Sequence, residues 1–169
     1  AGDVRFEHLS KLKYLSFCQK EALRLQPPAR AVVKRAKCDG YLGKYRVKEG
    51  MSFLISFQAL QLSKSIWGPD AEMFVPERWE KGLPDNYAYL PFSSGPRGCI
   101  GMEFSLVEQK IALVKLLQKF CFRRPAGESG LQLENRLFVG PINYTVQVFE
   151  RPAFAARERP GSAAKADEN

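Results

Sequence analysis

The chain has 169 residues, 45% of them hydrophobic, and a formal net charge of +8. This is enough apolar material for one globular core. The basic residues are scattered, without an aromatic-interleaved patch or a recognition motif, so the charge indicates a solvated surface and argues against nucleic-acid binding. No run approaches the roughly 20 apolar residues that span a bilayer, and no signal peptide is visible.

The four cysteines, at positions 18, 38, 99 and 121, form neither a C-x-x-C pair nor a zinc-binding spacing. Free thiols are the simplest interpretation, and they indicate a reducing compartment. Cys18 and Cys121 lie in apolar surroundings and are expected to be packing residues.

The first predicted element is an amphipathic helix that Pro27-Pro28 must end. Glu21 and Arg24 lie three residues apart on it and therefore share a face. On an arbitrary helix such a pair is usually an exposed salt bridge that adds little stability. The apolar positions that recur at three- and four-residue steps are Leu9, Leu12, Leu15, Cys18, Ala22 and Leu25.

Short strands are predicted next, over Ala31 to Lys37, Tyr41 to Val47 and Met51 to Phe57. A turn at residues 48–50 joins the last two. Residues 70–91 are rich in proline, glycine and aromatic residues without a sustained period, which predicts an irregular segment.

The last third of the chain contains a predicted helix and a predicted hairpin. Glu103 to Phe120 has a wide apolar stripe, which indicates a largely buried helix. Residues 131–149 predict two extended segments around Gly140-Pro141, a hairpin. From Arg151 onward the chain offers little to bury and is expected to be a disordered tail.

The most specific motif is Phe92-Ser-Ser-Gly95-Pro-Arg97-Gly-Cys99-Ile-Gly101. A cysteine thiolate pushes electron density onto haem iron and favours O–O cleavage. Glycines let the backbone turn sharply and approach a flat ring, and Arg97 is a permanent cation that can hold a propionate through paired hydrogen bonds. Most free cysteines are simply buried small hydrophobes. The five residue types at fixed spacing favour the haem-ligand interpretation.

This motif matches the cysteine loop of the cytochrome P-450 family at every defined position, and two further motifs resemble the family in the same order. Glu21-Ala-Leu-Arg24 is similar to its Glu-x-x-Arg helix, and Pro76-Glu-Arg78-Trp79 is similar to its Pro-Glu-Arg-Phe segment. The resemblance covers about residues 8 to 150. It implies that Glu21, Arg24 and Arg78 form a buried structural triad.

The resemblance also implies the fold and its extent. The expected class is mixed α+β, the C-terminal part of a mainly helical parent fold with short strands, an irregular meander and a cysteine-loop helix. Residues 1–150 would form the haem-binding C-terminal portion of a cytochrome P-450 domain, and residues 151–169 the tail. In the family the distal helix, which delivers protons to the oxygen-binding face, precedes the Glu-x-x-Arg helix by more residues than this chain has there.

The family's cofactor is haem b, and the resemblance implies a role for each motif residue. Cys99 would ligate the iron as the catalytic and metal-binding residue, and Phe92 would pack on the thiolate side of the ring. Arg97 would neutralise a propionate together with Lys34 or Arg35, between which the sequence does not decide. The tip of the predicted hairpin, near residues 137 and 138, would reach the substrate cavity.

The implied function is a monooxygenase that uses O₂ to oxidise an apolar small molecule. A flavoprotein or iron–sulfur reductase would supply electrons, and Lys110, Lys115 and Lys119 are candidates for steering it electrostatically. The isolated chain is expected to be inactive and poorly soluble. A microsomal parent would place the domain on the cytosolic face of the endoplasmic reticulum.

Two alternatives remain open from sequence. One is a non-catalytic truncated fragment that acts as a haem-binding or partner-binding module. The other is a haem-thiolate isomerase or dehydratase, which needs no external electrons. The chain also departs from the family in one place, since Gln61-Leu62-Ser63 replaces the usual His-Arg-Asp-like triplet, and this leaves the packing near Trp67 open.

Overall fold

The structure, a computed structural model, describes residues 5–127, 132–135, 139–142 and 144–151. A 3-10 helix, Phe6–Lys11, leads into helix α1, Lys13–Leu25. The single predicted helix is therefore interrupted at Leu12, whose φ of −86° and ψ of 61° are not helical. Helix α1 ends at Leu25 before the two prolines, as predicted.

The described strands form two-stranded antiparallel sheets, so each strand pairs with one other strand. The pairs are β1 (Ala31–Arg35) with β4 (Ser52–Ser56), β2 (Gly40–Leu42) with β3 (Tyr45–Val47), β5 (Phe120–Arg123) with β8 (Gln147–Glu150), and β6 (Gln132–Asn135) with β7 (Val139–Ile142). The β1–β4 pair places Lys34 opposite Phe53, and it borders the cysteine loop described below.

Two strand predictions need correction. The single strand predicted over residues 41–47 belongs to a hairpin, because Gly43 adopts a φ of +58° that allows a tight turn. Gly140-Pro141 lies within β7 and does not form the hairpin turn. Proline is tolerated there because every strand of a two-stranded sheet is an edge strand. The predicted tip at residues 137 and 138, and the predicted tail beyond Arg151, lie outside the described residues.

The aromatic core lies where the irregular segment folds over α1. Helices α2 (Phe57–Gln61) and α3 (Lys64–Trp67) precede this segment, and a 3-10 helix, Pro76–Lys81, lies within it. Trp67, Ala71, Trp79 and Ala88 form the buried cluster. The ring centroids of Trp67 and Trp79 are 5.7 Å apart. Trp79 also makes an edge-on contact with Tyr89, with ring centroids 4.7 Å apart.

Helix α4, Met102–Lys119, is long and apolar, but none of its side chains is buried. Phe104 is 73% exposed, and Ile111, Leu113, Leu116 and Leu117 are all exposed as well. The prediction of a largely buried helix is therefore wrong for this chain, because the described residues pack against only part of the helix surface. None of the described helices has both the length and the hydropathy needed to cross a membrane.

Candidate functional site

The cysteine loop folds back on itself between the irregular segment and α4. The Cys99 amide donates to the Phe92 carbonyl at 2.9 Å, and the Gly98 amide donates to the Gly95 carbonyl at 2.9 Å. Gly95 has a φ of +77°, which a glycine adopts without strain. A Cβ on Gly98 would lie only 3.2 Å from the Gly95 oxygen, so the close approach favours glycine there as well.

Cys99 is exposed and lies two residues before Gly101, the N-cap of α4. It borders an open cavity of about 350 Å³. The lining is largely apolar and includes Phe92 from the loop and Val32 from β1, while Arg97 supplies a guanidinium group. The structure thus brings together three of the sequence-predicted site residues, Phe92, Arg97 and Cys99.

Lys34 and Arg35 do not line this cavity. They point to opposite faces of β1, because side chains alternate along a strand. Lys34 is half-buried and shares its face with Val32, whereas Arg35 is exposed and shares its face with Ala31. Val32 and Ala31 both line the cavity, so the two basic residues differ in burial and not in which face borders it.

A second set of predicted residues, Glu21, Arg24 and Arg78, forms an ion-pair cluster beneath the irregular segment. Glu21 and Arg24 are fully buried. Arg24 contacts both carboxylate oxygens, from Nε to Oε2 at 2.9 Å and from Nη2 to Oε1 at 2.8 Å. Arg78 donates from Nε to Oε1 at 2.9 Å. The pair on α1 is therefore a buried, bidentate contact and not an exposed salt bridge.

Two further donors complete the surroundings of the Glu21 carboxylate. The Val75 amide donates to Oε1 at 3.0 Å, and the Trp79 indole Nε1 donates to Oε2 at 3.0 Å. Burial by itself favours a raised pKa at Glu21, but the hydrogen bonds from Arg24, Val75 and Arg78 outweigh it, so the pKa lies below its ordinary value. The carboxylate is thus ionised and fully hydrogen-bonded.

The remaining guanidinium donors tie α1 to the irregular segment. Arg24 donates to the backbone carbonyls of Gln61, Ala71 and Met73. Arg78 donates to the Asp70 carboxylate and to the Asp70 carbonyl, each at 3.2 Å. Because the acceptors of Arg24 lie 37 to 49 residues after it, these bonds fix α1 to the segment that leads toward the cysteine loop.

Sequence reasoning missed two residues of this region. The sequence motif gives Trp79 no role of its own, although its indole is a direct hydrogen-bond partner of Glu21. Gln61 stands out in the sequence only as a departure from a triplet, although its side chain is fully buried and hydrogen-bonded to Leu23, Arg24 and Leu90. The available signal was a polar residue at an apolar-flanked position, and sequence alone does not show its partners.

The three lysines expected to steer an electron donor do not form one patch. At 100° per residue, Lys115 and Lys119 lie 140° and 180° around α4 from Lys110. Lys110 instead borders a second cavity, of about 260 Å³, together with Lys20 and the cysteine-loop residues Phe92 and Ser93. The lysines at this second cavity therefore come from α1 and the first half of α4.

Comparison with known proteins gives a consistent result. The family model for cytochrome P450 matches residues 1–148. The chain is 38% identical over 156 residues to the putative cytochrome P450 CYP13A6 of Caenorhabditis elegans, in an alignment that covers 88% of this chain and 30% of that protein. It is 36% identical over 163 residues to the self-sufficient cytochrome P450 monooxygenase CYP505AG1 of Oidiodendron maius, covering 94% and 15%.

Among solved structures, the cytochrome P450DA haem domain superimposes with a TM-score of 0.82 at 27% sequence identity. The match covers 90% of this chain and 34% of that one. The chain thus spans about a third or less of the length of these relatives, and its fold is the corresponding part of theirs.

Proposed function

This chain belongs to the cytochrome P450 family, and we propose that it supplies the haem-ligating part of a haem-thiolate monooxygenase. The observation that carries the proposal is the exposed Cys99 thiol at the rim of an apolar cavity that also contains Arg97. In the proposed reaction, one atom of O₂ enters a C–H bond of an apolar substrate. The other atom leaves as water after the uptake of two electrons and two protons.

The residues around Cys99 fit haem b. A thiolate-ligated haem b, a flat apolar ring with two acidic side chains, needs an apolar wall, a cysteine and at least one cation, and the cavity lining contains each of these. When bound, haem supplies the redox chemistry that activates O₂. The chain's own contribution is to position the ligand and adjust its surroundings.

Cys99 would bind the iron through its thiolate. The hydrogen bond from its amide to Phe92 and the closed turn at Gly95 hold the residue at the cavity rim. Arg97 would form bidentate hydrogen bonds to a propionate through its guanidinium group. Lys34 is the proposed second propionate partner because it is half-buried behind Val32, whereas Arg35 is exposed to solvent.

The electron donor is proposed to dock on the side of the loop that carries Lys20 and Lys110. Both lysines border the cavity next to Phe92 and Ser93 and outnumber the one carboxylate in its lining, Glu103. An acidic flavoprotein or iron–sulfur protein would be attracted to this surface at low ionic strength. Lys115 and Lys119 lie on another side of α4 and are not part of this proposed surface.

The test replaces Cys99 with serine in the full-length protein. The ferrous CO complex of the unmodified protein should show the red-shifted Soret band that a thiolate ligand produces. In Cys99→Ser this band should be lost. Cys38→Ser is the matched control, because Cys38 is also an exposed free cysteine. An unchanged spectrum in Cys99→Ser would show that another residue ligates the iron.

A further inference from the structure

The side chain of Gln61 is fully buried, and both ends of its amide have partners. Nε2 donates to the carbonyls of Leu23 and Arg24, at 3.2 Å and 3.0 Å. Oε1 accepts from the Leu90 amide at 2.8 Å. Because a carbonyl can only accept and an amide N–H can only donate, these partners fix the orientation of the Gln61 amide.

One end of this bridge lies in the last turn of α1. The last four carbonyls of a helix have no hydrogen-bond partner within it. Two of these in α1, from Leu23 and Arg24, accept hydrogen bonds from Nε2 of Gln61. The Gln61 backbone carbonyl accepts from Nη1 of Arg24 at 2.8 Å. Gln61 is therefore hydrogen-bonded directly to Arg24 of the ion-pair cluster.

The other end lies on the route to Cys99. The Leu90 carbonyl accepts from the Ser93 amide at 3.0 Å and closes a turn, in which Ser93 takes a left-handed φ of 63°. Phe92, inside this turn, accepts from the Cys99 amide at 2.9 Å. A shift of Leu90 would therefore move the carbonyl that holds Cys99.

We infer that Gln61 is a positioning residue for Cys99. Its side-chain amide connects the end of α1, next to the ion-pair cluster, to Leu90, and so holds the segment that carries the Phe92 carbonyl in place. This inference rests on the proposed function, since it concerns how the sulfur ligand is held. Gln61 occupies the first position of the triplet in which the family usually has histidine. A neutral imidazole has one donor and one acceptor, so it can donate to one of the two α1 carbonyls and still accept from the Leu90 amide.

The experiment compares Gln61→Met, Gln61→His and the unmodified full-length protein at pH 8, where the new histidine is neutral. Methionine has a similar length but neither donates nor accepts strongly, so it tests hydrogen bonding with little change of volume. Gln58→Met is the matched control, one turn earlier in α2 and half-buried. Two quantities are measured. The first is the ratio of the ferrous CO complex that has lost its thiolate ligand to the ferrous CO complex that retains it. The second is the hydrogen-exchange rate of the Leu90 amide.

The ratio and the exchange rate should each rise about tenfold in Gln61→Met, because a buried N–H loses its acceptor. Gln61→His should restore both to near the unmodified values, and Gln58→Met should leave both unchanged. Unchanged values in Gln61→Met, or a histidine variant as impaired as the methionine variant, would overturn the inference.

The two measurements also separate this inference from the proposed function. An unmodified protein without the thiolate band would contradict the proposed function. The Leu90 exchange rate would still decide whether Gln61 holds the segment that leads to Cys99.

Discussion

Helix α1 buries charged side chains, whereas helix α4 exposes apolar ones. On α1, the fully buried Glu21 and Arg24 have hydrogen-bond partners on several segments. On α4, Phe104 and five other large apolar residues face water, although the helix is longer and more hydrophobic. Composition is therefore a poor guide to burial here. The described residues complete the polar network around α1 and leave the apolar surface of α4 uncovered.

The comparison predicts that the largest effects come from the buried charges. Glu21→Ala leaves Arg24 buried without its counter-ion, and Arg78→Ala removes a cation from Glu21, so each should cost about 3–5 kcal/mol of stability. We expect both variants to lose stable haem incorporation, measured as haem per folded protein, although neither residue lies at the cavity. Glu80→Ala, an exposed neighbour of Arg78, is the control. Full haem content in Glu21→Ala would mean that the buried ion pairs are dispensable.

A second prediction separates hydrogen bonding from packing in the aromatic core. Trp67 and Trp79 are about equally buried, and each ring lies near a cation, but among the described residues only the Trp79 Nε1–H has a hydrogen-bond acceptor, the Glu21 carboxylate. Trp79→Phe should therefore cost about 1.5–3 kcal/mol more than Trp67→Phe, as expected for a bond to a charged group. Denaturant unfolding of both variants measures the difference. Equal losses would show that the indole bond adds nothing to stability.

The third prediction concerns pH. Because the pKa of Glu21 is lower in the folded protein than its ordinary value of 4.5, its contribution is fully present above pH 4.5. That contribution is lost as the pH falls from 4.5 through the folded pKa. The free energy of unfolding should thus decline with acid in this range, and less steeply in Glu21→Gln, which cannot titrate. Parallel curves for the two proteins would contradict the role of Glu21 in acid sensitivity.

The smallest effect on stability is expected on α4. Phe104→Lys together with Ile111→Lys should change the free energy of unfolding of the isolated chain by no more than about 0.5 kcal/mol, because both side chains are exposed. The same variant should reduce aggregation, measured by light scattering, since it breaks an apolar patch. Glu108→Lys on the same helix controls for added positive charge. A loss of several kcal/mol in the double variant would show that these residues are packed.

Sequence patterns predicted the local features well and the long-range ones less well. The end of α1 before Pro27 and the spacing of the cysteine loop follow from local backbone rules and residue types. The hairpin at residues 40–47 was missed because a single glycine at position 43 decides it. The roles of Gln61 and Trp79 depend on partners more than 25 residues away, at Leu90 and Glu21, and no periodicity encodes such contacts.

The ion pair between Glu21 and Arg78 also has a consequence for synthesis on the ribosome. The two residues are 57 positions apart. At about 5–20 residues per second, Arg78 is added roughly 3–11 s after Glu21. During that interval the nascent α1 holds a carboxylate whose remaining donors do not yet exist, so its final burial must wait for translation of the irregular segment. Slower translation between these positions is therefore expected to lengthen the time for which the Glu21 carboxylate lacks these donors.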